Sequence, residues 1–570
     1  MKQNKINPFK HDYFLGYISQ VLPQYIKVHF PSSVLLNGFT HFGEEFNGGL
    51  VGAFVVIEGE KYGFLGRISE LALPESERLS LNEKAFQTSD FHPTGKIEIL
   101  LSFDLYDPFK MKKGLLAYPN IGAKVFVCSG DLVQEYMSRF GEKENEASTP
   151  VSLGKLVSNP TTEVKVNLQS IFGRHCAVVG TTGGGKSYTV SKLIESLQLL
   201  NVKTILIDAT GEYENFKRNT YCESKTLGKD TFFHYRHLTV TDVFVLLRPS
   251  GQVQQPILLE AIQSLKLVEI ATREDKLPAE VKDGVYIKTK NLKKPFIDLY
   301  NEFSDEIEKE NAEFDIQKLT KQLRRECIYD SNNYGDDITR WGDIDKKKWD
   351  NSTSLFLRTE TLIQSPHFKE IFGFNKGKAD ANELVKIIND FFSNEDKHLL
   401  RIGFEEVGFE FQAREILANA LGRFLLNAAR NGKYKDKPLV VFIDEAHQFL
   451  NKKVKDEYFE SVNLDAFDSI AKECRKHGLF LCIATQMPRD IPQGTLSQMG
   501  TFIVHRLINH NDKEAVSNAC SSANRNTLEF LPILGEGEAI LIGVDFPMPI
   551  IMKFDKPINE PNSNTPSLHK

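Results

Sequence analysis

Gly180-Thr181-Thr182-Gly183-Gly184-Gly185-Lys186-Ser187 decides how this chain is read. It fits G-x-x-x-x-G-K-[ST]. The apolar run Cys176-Ala177-Val178-Val179 precedes it, and a helical pattern from Tyr188 to Leu200 follows. Strand, loop and helix in that order build a phosphate-binding loop. Glycines let backbone N–H groups turn inward around phosphate oxygens. The helix behind adds the positive end of its dipole. Lys186 then reaches the β- and γ-phosphates, and the Ser187 hydroxyl ligates Mg2+. Gly180 to Ser187, with Tyr188 next in the helix, are the candidate ATP-binding residues. The plain alternative is a glycine-rich turn before a core helix. Against it, every fixed position of the pattern is filled and both flanks are correct.

A phosphate loop alone says only that a nucleotide binds. Val440-Val441-Phe442-Ile443-Asp444-Glu445 says more. Asp444, ending an apolar strand, can hold Mg2+ through water, and Glu445 can act as general base on the attacking water. An exposed acidic pair is the plainer reading. Beside a phosphate loop, the pair marks a hydrolase rather than a nucleotide switch. Asp208-Ala209-Thr210-Gly211-Glu212-Tyr213 ends another apolar strand, and Thr485-Gln486 a third. Gln486 can hydrogen-bond the γ-phosphate or the lytic water, or be an ordinary surface amide. Arg475 lies in Ala471-Lys472-Glu473-Cys474-Arg475-Lys476-His477, at the end of a helical pattern. It reads as a cation favoured by the helix dipole or as an arginine finger for a neighbouring subunit. Spacing alone favours the first.

The chain has 570 residues, too many for one core, so about two to four domains are expected. Hydrophobic residues at 41% and charged residues at 26% are ordinary for a soluble globular protein. A net charge of -6 is small for this length, so any DNA-contacting surface must be a local patch. The seven cysteines contain no C-x-x-C, which argues against a zinc site, and their scatter suits a reducing cytoplasm. Cys176 and Cys482 fall in apolar runs and read as small core residues. No apolar run long enough for a membrane span occurs, and the expected location is cytoplasmic.

Residues 1–150 carry short strand-like runs, among them Tyr25 to Phe30, Gly52 to Ile57, Lys96 to Leu101 and Ala123 to Val127. Their spacing and Gly/Pro punctuation predict a small antiparallel barrel or sandwich. Glu142 to Thr149 reads as a linker. From 151 the pattern changes to strands alternating with helices, as in a parallel sheet whose carboxyl edge binds ligands. It occupies 151–250 and 396–555, with a helical insertion over 251–395 and a tail over 556–570, of which Asn559 to Lys570 is polar and reads as frayed or strap-like. The expected fold class is α/β.

The order of these motifs resembles the HerA family of hexameric DNA translocases, in the same superfamily as FtsK. Phe172-Gly173-Arg174-His175 leads into Gly180 to Ser187 and Asp208 to Tyr213. Asp444-Glu445-Ala446-His447, Glu473-Cys474-Arg475-Lys476, Ala484-Thr485-Gln486 and Leu534-Gly535-Glu536-Gly537-Glu538-Ala539 follow. The amino-terminal segment, including Gly63-Phe64-Leu65-Gly66-Arg67-Ile68, looks like that family's barrel. The resemblance spans residues from about 12 to 555. It implies a RecA-like P-loop ATPase core, ATP and Mg2+, a homohexamer, and double-stranded DNA in the central pore. It assigns Lys186, Ser187, Asp444, Glu445 and Gln486 the roles above and moves Arg475 toward the finger. Thr210 stands where the family often has His, and Met487 follows Gln486 where Arg is common. Asp-Glu-Ala-His also occurs in another helicase superfamily, whose remaining motifs are not found here.

No clustered D…E-x-K pattern lies outside the ATPase core. The resemblance implies a separate nuclease in DNA-end processing, or a nuclease or NAD-consuming, sirtuin-like effector in antiphage defence. Within that resemblance, and on it alone, the length and the helical insertion lean toward the bacterial defence type. The alternative is an ATP-dependent assembly scaffold that remodels a partner complex without threading DNA. A monomeric nucleotide kinase fits poorly, because the acidic pair and Gln486 have no role in one. Lys452, Lys453 and Lys455 are one candidate DNA-contacting patch, although a solvated charge run is the more ordinary reading.

Overall fold

Val, Ile and Phe at alternate positions give the amino-terminal strands one apolar face each, and curling the sheet buries all of those faces at once. The computed structural model describes residues 7–41, 44–46, 49–75, 90–113, 117–139, 149–331, 337–377, 379–450, 453–456, 459–520 and 525–563. The predicted linker over 142–148 and Lys452 lie outside them. The first strands are β1 (Phe14–Val21), β2 (Ile26–His29), β3 (Phe39–His41), β4 (Glu44–Phe46), β5 (Phe54–Glu58), β6 (Tyr62–Ala72), β7 (Thr94–Asp104), β8 (Asp107–Lys113) and β9 (Lys124–Val127). They pair in the order β2-β1-β9-β5-β6-β7-β8, and β2 also pairs with β7. Six antiparallel strands therefore close into a barrel, with β8 outside the ring. Leu15, Ile26, Val28, Val55, Ile57, Phe64, Ile68, Ile97 and Val125 fill its interior. Arg67 points to the opposite face of β6. Its guanidinium is buried, donates to Glu98 at 3.0 Å and to Thr527 at 2.6 Å, and stacks 5.6 Å from the Phe530 ring. Those contacts tie the barrel wall to the carboxyl-terminal part of the same unit.

Two compact units make up the chain, residues 1–202 with 480–570, and residues 203–479. Beyond the barrel, the first unit continues with β10 (Val151–Leu156), β11 (Glu163–Val166) and β12 (Cys176–Val179). All four residues of β12 are buried, as a run of consecutive apolar residues requires of a strand covered on both faces.

The second unit holds β13 (Lys203–Asp208), β14 (Cys222–Thr226), β15 (Val281–Lys282), β16 (Val285–Tyr286), β17 (Leu399–Gly403), β18 (Leu439–Ile443), β19 (Lys453–Asp456) and β20 (Phe459–Asn463). Its parallel strands run in the order β18-β13-β17-β14. Between β14 and β17 the chain is mainly helical, as its periodicity predicts. It includes Gly251–Arg273, Lys294–Glu302, Leu319–Arg325, Lys346–Gln364 and Leu384–Ser393. Leu267, Ile270, Tyr286, Ile307, Ile328 and Trp341 pack one helical core there.

The chain re-enters the first unit along β21 (Leu479–Thr485), then adds β22 (Thr501–His505), β23 (Glu538–Gly543) and β24 (Ile550–Phe554). The order in this unit is β11-β10-β24-β23-β22-β12-β21. β12 lies parallel between β21 and β22, with Cys176 opposite Cys482. Both cysteines are fully buried, and burial pushes the Cys482 thiol well up, so it stays protonated. The fold class is α/β as expected, with barrel, parallel strands and helical region all present. Among the described residues no helix is long and apolar enough to cross a membrane.

Candidate nucleotide site

In the first unit the phosphate loop leaves the carboxyl end of β12 and enters the helix Lys186–Leu199. Gly183 and Gly185 have φ of +74° and +105°, in the left-handed region where a side chain is strained. A Cβ on Gly185 would also stand 3.0 Å from the Cα of Gly537. A Cβ on Gly180 would stand 2.5 Å from the Cβ of His505. Glycine is thus required at both positions, by conformation at one and by close approach at the other. Thr181 donates through its backbone N–H (3.0 Å) and its hydroxyl (3.2 Å) to the Arg506 carbonyl, which anchors the loop to the end of β22. Lys186 is buried, and its ammonium lies over the loop, 3.5 Å from the Thr181 carbonyl. The Thr182 hydroxyl bonds the side-chain oxygen of Gln486, and the Gly180 N–H donates to the Thr485 carbonyl at 3.3 Å. The structure therefore brings Gln486 to the phosphate loop. Ser187 sits half-buried in the first helical turn, and Tyr188 follows it. This cradle of inward-facing backbone with a lysine over it fits a nucleotide triphosphate tail.

His505 supports the loop from below. Its Nδ1 lies 2.9 Å from the Glu538 carbonyl and its Nε2 lies 3.0 Å from the Thr189 hydroxyl. A carbonyl only accepts, so Nδ1 carries the proton and Nε2 accepts from Thr189. Burial, joined by the Lys186 charge, pulls the imidazole pKa down to about 4, and its bond to Glu538 opposes this only in part. His505, Arg506 and Gly537 escape the motif reading. His505 ends an apolar run, Phe502-Ile503-Val504, and so carries the signal that marked Gln486.

The second unit carries its acids at the carboxyl edge of its parallel strands. Asp208, fully buried at the end of β13, accepts from the N–H groups of Thr210 (3.3 Å), Gly211 (2.9 Å) and Tyr213 (3.1 Å). The buried Arg401 donates to Asp208 at 2.8 Å and to Glu405 at 3.0 Å. The Asp208 segment is thus shaped by its own carboxylate. One strand over, Asp444 and Glu445 follow β18, both buried. The Asp444 N–H donates to Ile207 at 3.0 Å, which sets it beside the end of β13. Glu445 has φ of +46°, and its carboxylate lies 3.2 Å from Nδ1 of His447. Arg475 is exposed in the turn Cys474–His477, with no carboxylate within ion-pairing distance among the described residues. Lys453 and Lys455 lie on β19, which pairs with β20 in a hairpin after the acidic pair. Among the described residues no cluster of His, Cys, Asp and Glu forms a metal cage. The side chains suited to a cation are the Ser187 hydroxyl in the first unit and the Asp444 carboxylate in the second.

Two family profiles match the chain. The one described as "Helicase HerA, central domain" matches residues 151–347, and "Helicase HerA-like C-terminal" matches residues 428–564. "Probable helicase MJECL08" of Methanocaldococcus jannaschii is 26% identical over 470 residues, covering 77% of this chain and 75% of that protein. The "DNA double-strand break repair helicase HerA" of Saccharolobus solfataricus is 25% identical over 411 residues, covering 71% and 68%. Among solved structures, VirB4 of Thermoanaerobacter pseudethanolicus superposes with a TM-score of 0.46 at 14% identity, over 74% of this chain and 100% of that one.

Proposed function

Because the chain belongs to the HerA helicase family of the FtsK–HerA superfamily, and is an ATPase, we propose that it is an ATP-driven motor that moves double-stranded DNA. The carrying observation is the phosphate loop, with Lys186 over it and Gln486 bonded to Thr182. In this reading Gly180 to Ser187 hold the phosphates, with Tyr188 beside them. Ser187, and Asp444 through water, would hold Mg2+, which would supply positive charge to the transferring phosphoryl group. Glu445 takes a proton from the attacking water, Gln486 orients that water or the γ-phosphate, and Arg475 reaches a neighbouring copy's site. The working form is a homohexamer with DNA in its pore, partnered with a separate nuclease or an NAD-consuming, sirtuin-like effector, in the manner of antiphage defence. The expected location is cytoplasmic.

The test is ATP turnover with and without duplex DNA. Turnover is expected to rise several-fold with DNA, and Lys186→Ala to abolish it by removing several kcal/mol of transition-state stabilisation. DNA-insensitive turnover raised by an effector protein instead would replace the motor by an assembly scaffold. Near-normal turnover in Lys186→Ala would sink the phosphate-loop reading.

A further inference from the structure

Beyond β24 the chain runs across the phosphate-loop helix. Phe554 donates its N–H to the Gly537 carbonyl at 3.0 Å, and Gly537 is the residue on which Gly185 packs. The next segment is pinned to one face of the helix at two points. The Glu195 carboxylate accepts from the backbone of Ile558 at 3.1 Å, from the backbone of Asn559 at 2.7 Å and from the Asn559 amide at 2.8 Å. Two helical turns nearer the phosphate loop, the Tyr188 hydroxyl donates to the Glu560 carboxylate at 3.1 Å. Residues seven apart share a helix face and are about 10 Å apart along the axis. Pro557 and Pro561 are buried on either side, so the segment is seated on the helix. The first of the two tail readings, a frayed end, does not describe these residues. Burial, with Glu560 beside it, raises the Tyr188 phenol above its ordinary value, so its hydroxyl is a donor at neutral pH.

Phosphates bound by Gly180 to Ser187 fix where the rest of a nucleotide must go. The triphosphate tail fills the loop, and the nucleoside leaves past the first turn of the helix. Tyr188 is the first side chain beyond Ser187 on that turn. Its half-buried ring is flat, which suits a sugar or base face. The carboxylate it orients is an acceptor, and a nucleoside presents donors, the ribose hydroxyls and an exocyclic amine. We propose that Tyr188 and the segment Ile558–Glu560 form the nucleoside wall of the ATP site, with the Tyr188 ring against the nucleoside and Glu560 accepting a hydrogen bond from it. The proposal rests on the phosphate-loop reading above.

The test measures binding of ATP and of inorganic tripolyphosphate, which has no nucleoside, to the full chain. Tyr188→Ala is expected to weaken ATP about 10-fold or more and leave tripolyphosphate unchanged. Tyr188→Phe, which keeps the ring and releases the carboxylate, should cost less. Lys186→Ala should weaken both ligands, and if it weakens neither, the phosphate loop is at fault rather than the wall. Glu560→Ala removes the acceptor at an exposed side chain. It should weaken ATP about 3- to 10-fold, and should make no difference for the one analogue that lacks its donor. That analogue is 2′-deoxy-ATP if the donor is the ribose hydroxyl, and purine riboside triphosphate if it is the base amine. Tyr188→Ala binding ATP like the parent, or losing ATP and tripolyphosphate in equal proportion, would overturn the proposal. Glu560→Ala leaving ATP binding untouched would overturn the acceptor role.

Discussion

Glu445 holds a backbone conformation that L side chains other than Asn and Asp rarely adopt, with φ of +46° in the turn after β18. Such a residue carries on the order of 1–2 kcal/mol of strain, and strain of this kind gathers at working sites. His447 sets its Nδ1 3.2 Å from the Glu445 carboxylate. Glu445→Gln keeps shape and burial but cannot take a proton. It should bind ATP normally and turn it over about 10²–10⁴-fold more slowly, as read by ATP binding alongside single-turnover hydrolysis. Loss of binding instead would make Glu445 a structural residue. The sequence names the residue types that can do this chemistry. It does not carry the φ of Glu445, the three amide bonds on Asp208 or the Arg401 bridge, because those follow from neighbours brought in by β13, β17 and β18.

The helix Lys186–Leu199 rests on the end of β22 through one imidazole, since His505 joins Thr189 of the helix to the Glu538 carbonyl of β23. The folded pKa of about 4 lies below the ordinary value of 6.5, so the unfolded chain binds a proton that the folded chain refuses. His505 therefore contributes stability that is fully present above pH 6.5. That stability declines as pH falls from there to about 4 and changes no further below. At about 1.4 kcal/mol per pH unit, the loss attributable to this group reaches up to about 3 kcal/mol. Urea unfolding at pH 7.5 and pH 5 should show it, and His505→Gln should flatten that part of the profile. An unchanged slope in the variant would place the pH dependence elsewhere. At this scale most elements are legible beforehand. β13, β18 and β21 carry apolar runs that end in a polar or acidic residue or just before one, β12 is an apolar run that ends at a glycine, and the barrel strands announce themselves by alternation and turn residues. The bracing of the phosphate loop by His505, Arg506 and Gly537 is not legible. It comes from pairing β12 with β22 and β22 with β23, and no local spacing encodes which strand a strand will meet.

For the molecule as a whole, Arg475 precedes β21 in the chain and Gln486 follows it. Among the described residues no carboxylate lies within ion-pairing distance of the exposed Arg475 guanidinium, which leaves it available to another copy of the chain. Arg475→Ala should leave ATP binding intact and cut turnover by about 10³–10⁵-fold if it acts as a finger in a neighbour's site. If it only favours a helix end, the change should cost about 0.3–1 kcal/mol of stability and leave turnover alone. Mixing Arg475→Ala with Lys186→Ala subunits distinguishes the two. Partial recovery of activity requires sites shared between copies, and two inactive parents that stay inactive despite subunit exchange return Arg475 to the simpler role. The insertion of the second unit into the first bears on how the chain is made. The bond from Leu481 to His175 joins residues 306 apart, and β12 has both of its parallel neighbours on the far side of that interval. A ribosome adding about 5–20 residues per second needs roughly 15–60 s to deliver them. Throughout that time the nascent chain holds a wholly apolar strand with neither edge covered. The phosphate loop is thus synthesised well before the strands that set it in place, and in the interval its apolar strand is exposed to pairing with other chains.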